Sequence, residues 1–170
     1  MEVRSLTDAL SDDAINWRPG AGRWSVAECL LHLARTNGLY VPPLERVVRA
    51  AREQGRVGTG PFRPNWFGKW FAAQMEPPPK RRFKVPRPFR PPQERATAES
   101  ARRAYLEMND AMQAIARSAD GLDLGRIRMT SPITRWMRFN LEAAFLAIAA
   151  HDRRHLWQAR QVRQAPGFPA

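Results

Sequence analysis

Histidine is the residue type in this sequence whose number and spacing could support chemistry. The 170-residue chain holds three histidines, and two of them, His151 and His155, are four residues apart. Side chains at i and i+4 share one face of a helix, so both imidazoles project the same way, as in helix-borne zinc sites. His32 lies between leucines in another apolar segment. The three residues predict a divalent-metal site, and hydrogen-bonded core histidines are the alternative.

Three further side chains lie close to these histidines in the sequence. Glu28, one helical turn before the first histidine, is a candidate catalytic base, although Ser25 followed by Glu28 also has the pattern of a helix capping box. Gln158, three residues after the last histidine, is a candidate for binding or orienting a ligand or cofactor, with helix packing as the alternative. Cys29 is either a fourth metal ligand or a small buried thiol.

Helices must position these groups. Apolar periodicity predicts a short helical stub and three longer helices, over about 3–10, 26–52, 97–119 and 140–164. Pro42 and Pro43 predict that the first long helix is kinked or split near Tyr40. No stretch shows convincing strand alternation. The predicted fold is therefore all-α, an up-and-down bundle of about four helices.

The segment 55–96 differs from the rest of the chain. Nine of the 15 prolines lie between Pro61 and Pro92, which favours extended chain. An aromatic run at 65–73 predicts a short helix. Its large rings are expected to pack on the body or on a second subunit, and a lid over the metal site is the alternative. We expect a long proline-rich crossover between the second and third helices.

Composition excludes several classes of protein. One cysteine rules out an internal disulfide, and the longest apolar run has eight residues, too short for a membrane span. The sequence predicts a cytoplasmic protein with one domain over 1–170. The net charge is +12, but only seven of the 28 basic residues lie between Lys80 and Arg95. This dispersion argues against a nucleic-acid partner, and an arginine-rich composition typical of a GC-rich genome explains the charge equally well.

Two ordered motifs resemble the DinB/YfiT superfamily. Residues 17–33 follow the pattern W-R-P…W-S-x-x-E-x-x-x-H-L, and residues 151–158 follow H-x-x-x-H-x-x-Q. The resemblance covers about residues 6–164. It implies a four-helix bundle, commonly a homodimer, with a nickel or zinc ion bound by His32, His151 and His155. The roughly 15 residues before Trp17 are fewer than such proteins usually have. We therefore expect either that the first helix is short or that the aromatic run covers the groove that a full first helix would fill.

The resemblance also implies a function. Some members of the superfamily are metal-dependent transferases or isomerases that activate a low-molecular-weight thiol such as bacillithiol or mycothiol, and others were proposed as hydrolases. The leading hypothesis is a metal-dependent thiol S-transferase acting on a small molecule, with Glu28 or a water as proton acceptor. Metal-dependent hydrolysis is the second hypothesis. A non-enzymatic basic helical module that binds nucleic acid or a protein partner is the third.

Overall fold

The computed structural model describes residues 2–79, 84–132 and 137–169, without the side chain of Glu2. The described part of the chain is mostly helical, and two short strands accompany the helices. In chain order the elements are α1 (Glu2–Thr7), α2 (Asp12–Asn16), α3 (Val26–Glu53), α4 (Trp66–Met75), a 3-10 turn (Arg87–Phe89), α5 (Ala98–Ser118), β1 (Arg128–Thr130), β2 (Arg138–Asn140) and α6 (Leu141–Arg163).

Helix α3 is unbroken over its 28 residues, so the predicted split near Tyr40 is wrong. Proline lacks a backbone N–H and its ring crowds the carbonyl four residues earlier. Here Pro42 is exposed and Pro43 is half-buried, and the facing carbonyls belong to Gly38 and Leu39, which are also partly exposed. Water can therefore bond the carbonyls that the prolines leave without a helical partner, and the helix continues.

Helices α3 and α6 run in opposite directions along each other. The first half of α3 shares a buried apolar cluster with the second half of α6, and the second half of α3 shares another with the start of α6. Helix α3 also packs along α5, and α4 packs along α6. This pairing brings the segment around His32 next to the middle of α6. The up-and-down four-helix arrangement stays a prediction.

The N-terminal segment forms two short helices, in agreement with the expectation of a short first helix. Helix α1 contacts α5 and α6, and α2 contacts α3. The guanidinium of Arg163 donates hydrogen bonds to the carbonyl oxygens of Ser5 and Leu6 at 2.9 and 3.0 Å. The two short helices are therefore joined to the ends of the long ones.

Strands β1 and β2 form an antiparallel pair that the sequence did not predict. Met129 lies opposite Phe139 and both are buried, while Arg128, Thr130 and Arg138 are exposed. A strand of three residues is too short for its alternation of buried and exposed side chains to be recognised in the sequence. Residues 133–136, between the strands, lie outside the described residues.

The aromatic run forms α4, as predicted, but only part of it is buried. The rings of Phe67 and Phe71 each lie 5.8 Å from the ring of Phe139. Trp66 and Trp70 remain 80% and 49% exposed, so packing on the body accounts for the phenylalanines and not for the tryptophans. In the proline-rich crossover, residues 80–83, which include part of the basic stretch 80–95, lie outside the described residues. No helix in the described ranges is long and apolar enough to span a bilayer.

Helix α4 approaches α6 closely at Gly68, which predicts a steric test of this contact. A Cβ at Gly68 would overlap the Cβ of Ala143 and lie 3.2 Å from the ring of Phe139. Gly68→Ala should therefore lower the free energy of unfolding by about 1–3 kcal/mol, the usual range for overpacking. Urea unfolding measures the change.

The matched control is Gly38→Ala, in the interior of α3. Its new Cβ would meet only the flexible Sδ of Met108, at 3.4 Å. Helix propensity then favours the alanine by up to about 1 kcal/mol. Equal effects of the two substitutions would contradict the close contact of α4 with α6.

Candidate metal centre

Three imidazoles meet between α3 and α6. One ring nitrogen from each of His32, His151 and His155 lies within 4.8 Å of the others. Nε2 of His32 is 3.1 Å from Nε2 of His151. With metal–nitrogen bonds of about 2.0–2.1 Å, two imidazole nitrogens on one ion are separated by roughly 3.0–3.4 Å. The three histidines that the sequence singled out are therefore brought together, and the pair of His32 and His151 has the spacing of two ligands on one ion.

Two of the rings are oriented by acceptors on their other nitrogen. Nδ1 of His32 lies 2.5 Å from the carbonyl oxygen of Phe89, which can only accept. Nδ1 of His155 lies 3.0 Å from Oε1 of Gln158. Both contacts place the proton on Nδ1 and leave Nε2 as the ligand atom. Metal-binding histidines usually donate the N–H of their other ring nitrogen to such an acceptor. Gln158 thus contacts a histidine ring, and its predicted role toward a ligand or cofactor stays a prediction. The Phe89 carbonyl gave no sequence signal.

Burial keeps the three imidazoles neutral. Desolvation lowers the pKa of His32 to about 4, against a smaller opposing effect of the Phe89 carbonyl. Desolvation, then the neighbouring His32 and Arg154, lower the pKa of His151 to about 3. The same kind of burial holds the pKa of His155 well below its usual value. Metal binding requires the deprotonated ligand, so these shifts suit the site to an ion at neutral pH.

Trp24 covers one side of the histidine cluster. Its ring stacks on His155 at 5.5 Å and lies 4.8 Å from the ring of His32. In the structure Trp24 forms part of the apolar surroundings of the imidazoles, which limit the access of water to them.

Glu28 is held by the local fold. Its Oε2 accepts hydrogen bonds from the Ser25 backbone N–H at 2.9 Å and from Arg18 Nε at 2.8 Å, and its Oε1 accepts from Arg18 Nη2 at 2.7 Å. Ser25 in turn caps the Glu28 backbone N–H, so the capping box is confirmed. A role for Glu28 as a catalytic base stays a prediction.

Cys29 is not part of the cluster. It is fully buried, and burial raises the pKa of its thiol. Within the described ranges the group able to hold a metal consists of the three histidines. The alternative of a buried apolar cysteine therefore explains Cys29.

A buried polar network lies beside the histidines and joins three helices. Asn37 Nδ2 donates to the two carboxylate oxygens of Asp152 at 3.2 and 3.3 Å, and the Tyr105 hydroxyl lies 3.4 Å from Oδ2. Desolvation raises the pKa of Asp152 to about 6 despite these hydrogen bonds. The partners come from α3, α5 and α6, far apart in sequence, so no motif spacing predicts the network.

The histidine cluster faces a large cavity of about 840 Å³. Its walls include parts of α3, α4 and α6, the segment before α3 and residues of the proline-rich crossover. Such a volume lies within the range of small-molecule sites. The candidate metal centre therefore lies beside a cavity large enough for a small molecule.

Comparison with known proteins agrees with the two motifs. The family model of the DinB superfamily matches residues 1–159. No curated protein and no solved structure matches the chain. The match therefore includes all three histidines, His32, His151 and His155.

The neutral histidines predict a pH dependence of the metal-free protein. The unfolded imidazoles bind protons below about pH 6.5 while the folded ones do not, so folding weakens as the pH falls toward about 4. Each histidine contributes at most about 1.4 kcal/mol per pH unit. Urea unfolding in the presence of EDTA, between pH 7 and about pH 4, measures this slope.

Asp152 provides the control, because its raised pKa strengthens folding as the pH falls, whereas the lowered pKa values of the histidines weaken it. The folded carboxyl binds a proton below about pH 6, whereas an unfolded one does so only near 3.9. Asp152→Asn removes that opposing contribution and should make the loss of stability between pH 6 and 4 steeper. A shallower slope in this variant would contradict the assignment of buried neutral histidines beside a protonatable Asp152.

Gln158 is expected to strengthen metal binding by holding the His155 ring. Gln158→Leu keeps the approximate shape and removes the acceptor, so metal affinity should fall about 10- to 100-fold. Gln161→Leu, one turn further along α6, is the matched control, since Gln161 bonds Gln164 and not a histidine. Competition with a chromogenic zinc chelator gives both affinities, and equal values would exclude the orienting role.

Proposed function

The chain belongs to the DinB superfamily, and we propose that it binds a divalent metal ion and transfers a low-molecular-weight thiol to an electrophilic small molecule. The observation that carries the proposal is the group of His32, His151 and His155, whose ring nitrogens converge on one point beside the cavity. Imidazole nitrogens suit zinc, copper, iron and nickel, and the resemblance to the superfamily favours nickel or zinc among them.

The bound ion would supply one kind of chemistry, lowering the pKa of a coordinated thiol so that a nucleophile exists near neutral pH. The chain's own residues do the rest. Phe89 and Gln158 hold two ligand rings through Nδ1, and Trp24 restricts water on one side. Three neutral ligands also leave the full positive charge of the ion available.

In the net reaction the thiol loses its proton, its sulfur forms a bond to an electrophilic carbon, and the leaving group departs with the electron pair of the broken bond. Glu28 or a water in the cavity accepts the thiol proton in this proposal. Arg18 and the Ser25 backbone already occupy the Glu28 carboxylate, which favours the water. The homodimer implied by the resemblance is a further part of the proposal.

Metal content is the first test. The untagged protein should contain about one nickel or zinc ion per chain by elemental mass spectrometry, as expected for a single three-histidine site. His151→Ala should lose the ion, while Gln161→Ala on the same helix should keep it. Absence of metal after reconstitution, with unchanged folding of His151→Ala, would contradict the proposal.

Thiol dependence is the second arm of the same experiment. The metal-loaded protein should bind bacillithiol or mycothiol, and His151→Ala should not. Turnover of an ester or amide by the loaded protein without any thiol would instead support metal-dependent hydrolysis. Binding of DNA or RNA that persists in EDTA and weakens steeply with salt would support a non-enzymatic module.

A further inference from the structure

The cavity is a long groove that follows α6. Its α6 lining begins at Ala144 and ends just past the helix at Ala165. At 1.5 Å per residue this is about 30 Å. His151 and His155 lie near the middle of that length, so the groove extends away from the histidine cluster in two directions.

One side of the groove, here called the apolar half, is lined by large apolar side chains. It lies toward the start of α6, where the second half of α3 also packs. Its polar side chains are Thr36 and Asn37, both almost fully buried, the exposed Lys84 next to Val85, and Arg154, which donates to the Gln74 carbonyl of α4. The apolar lining comes from α3, α4, β2 with the residue before it, and α6: Tyr40, Phe71, Met75, Met137, Phe139, Ile148.

The other side, here called the polar half, has a different character. It lies toward the end of α6, where the segment before α3 meets the helix, as the contact of Trp24 with His155 shows. Gln158, Gln161 and Arg23 line it. Arg23 is exposed, and within the described ranges no ion pair involves it. An unpaired guanidinium at the edge of a groove attracts anionic groups.

We infer that the groove binds two ligands at once, one on each side of the histidine cluster. The apolar half takes the electrophile, which must therefore have an apolar, aromatic or alkyl body. The polar half takes a thiol that carries carboxylate groups, with Arg23 as their partner. This inference rests on the proposed function and specifies its two substrates by chemical class.

The size and lining of the groove support two ligands. A volume of about 840 Å³ is near the upper end of the range for small-molecule sites. Apolar surface gains free energy on leaving water, whereas carboxylates lose it unless they are paired. A single polar molecule would therefore leave the apolar half poorly filled, and a single apolar one would make no use of the charge of Arg23.

The apolar half is tested with the unreactive series toluene, ethylbenzene and butylbenzene, titrated calorimetrically into the metal-loaded full chain. Affinity should rise about fourfold per added methylene. Ile148 is only partly buried, so the fold can accommodate a larger side chain there. Ile148→Trp fills the apolar half and should lower butylbenzene affinity at least about tenfold. Ala147→Phe, at the preceding position of α6, is the second filling variant. A series without dependence on chain length would overturn the apolar half.

The polar half is tested with bacillithiol on the same preparations. Arg23→Gln should weaken thiol binding severalfold and reduce its dependence on salt, while leaving butylbenzene affinity and metal content unchanged. Ile148→Trp should leave thiol binding unchanged. Competition between bacillithiol and butylbenzene, or an equal response of both ligands to both variants, would show a single shared site and overturn the inference.

Failure of this inference is distinguishable from failure of the proposed function. The alkylbenzene titration can be repeated after EDTA treatment, since apolar binding needs no ion. A protein that shows the methylene dependence but binds neither metal nor thiol would contradict the proposed function and the polar half. A protein that binds metal and thiol but shows no methylene dependence would contradict the apolar half alone.

Discussion

The site depends on keeping three imidazoles neutral and close together in a place with little water. Burial disfavours the imidazolium form, and protonation of one ring would place a charge beside two others that already sit next to Arg154. Each orienting acceptor bonds the proton that a neutral ring carries on Nδ1. Desolvation and hydrogen bonding therefore act together, and both leave the lone pairs on Nε2 available for an ion.

This closeness in turn depends on the register of α3 against α6. The Asn37–Asp152–Tyr105 network involves the residue directly after His151 and bonds α6 to α3 and α5. Burying a carboxylate without a cation is costly, so the network is a weak source of stability. Its hydrogen bonds form only where α3, α5 and α6 bring Asn37, Tyr105 and Asp152 together, although the buried Oδ1 of Asn37 has no partner among the described residues. We interpret it as the contact that selects the alignment in which His32 meets the histidines of α6.

The parts of this arrangement that could be predicted from sequence are the local ones. The four-residue spacing of His151 and His155 and the capping box at Ser25 both act within about one helical turn, and both are present in the structure. The Phe89 carbonyl is 57 residues from His32, and any residue type would supply the same backbone oxygen. Which backbone oxygen accepts from His32 therefore depends on tertiary packing, which the periodicity of apolar residues does not encode.

The proline-rich crossover shows how a segment with little regular structure can serve the site. Prolines remove backbone donors, so carbonyls in such a segment lack partners of their own and can bond side chains elsewhere. Pro88 accepts from Arg35 Nε at 2.5 Å, and the next carbonyl, that of Phe89, accepts from His32. The Phe89 side chain is buried in the apolar cluster of α3 and α6. A hydrophobic anchor and two carbonyls thus bind the crossover to one turn of α3, and the orientation of His32 requires that this segment stay docked.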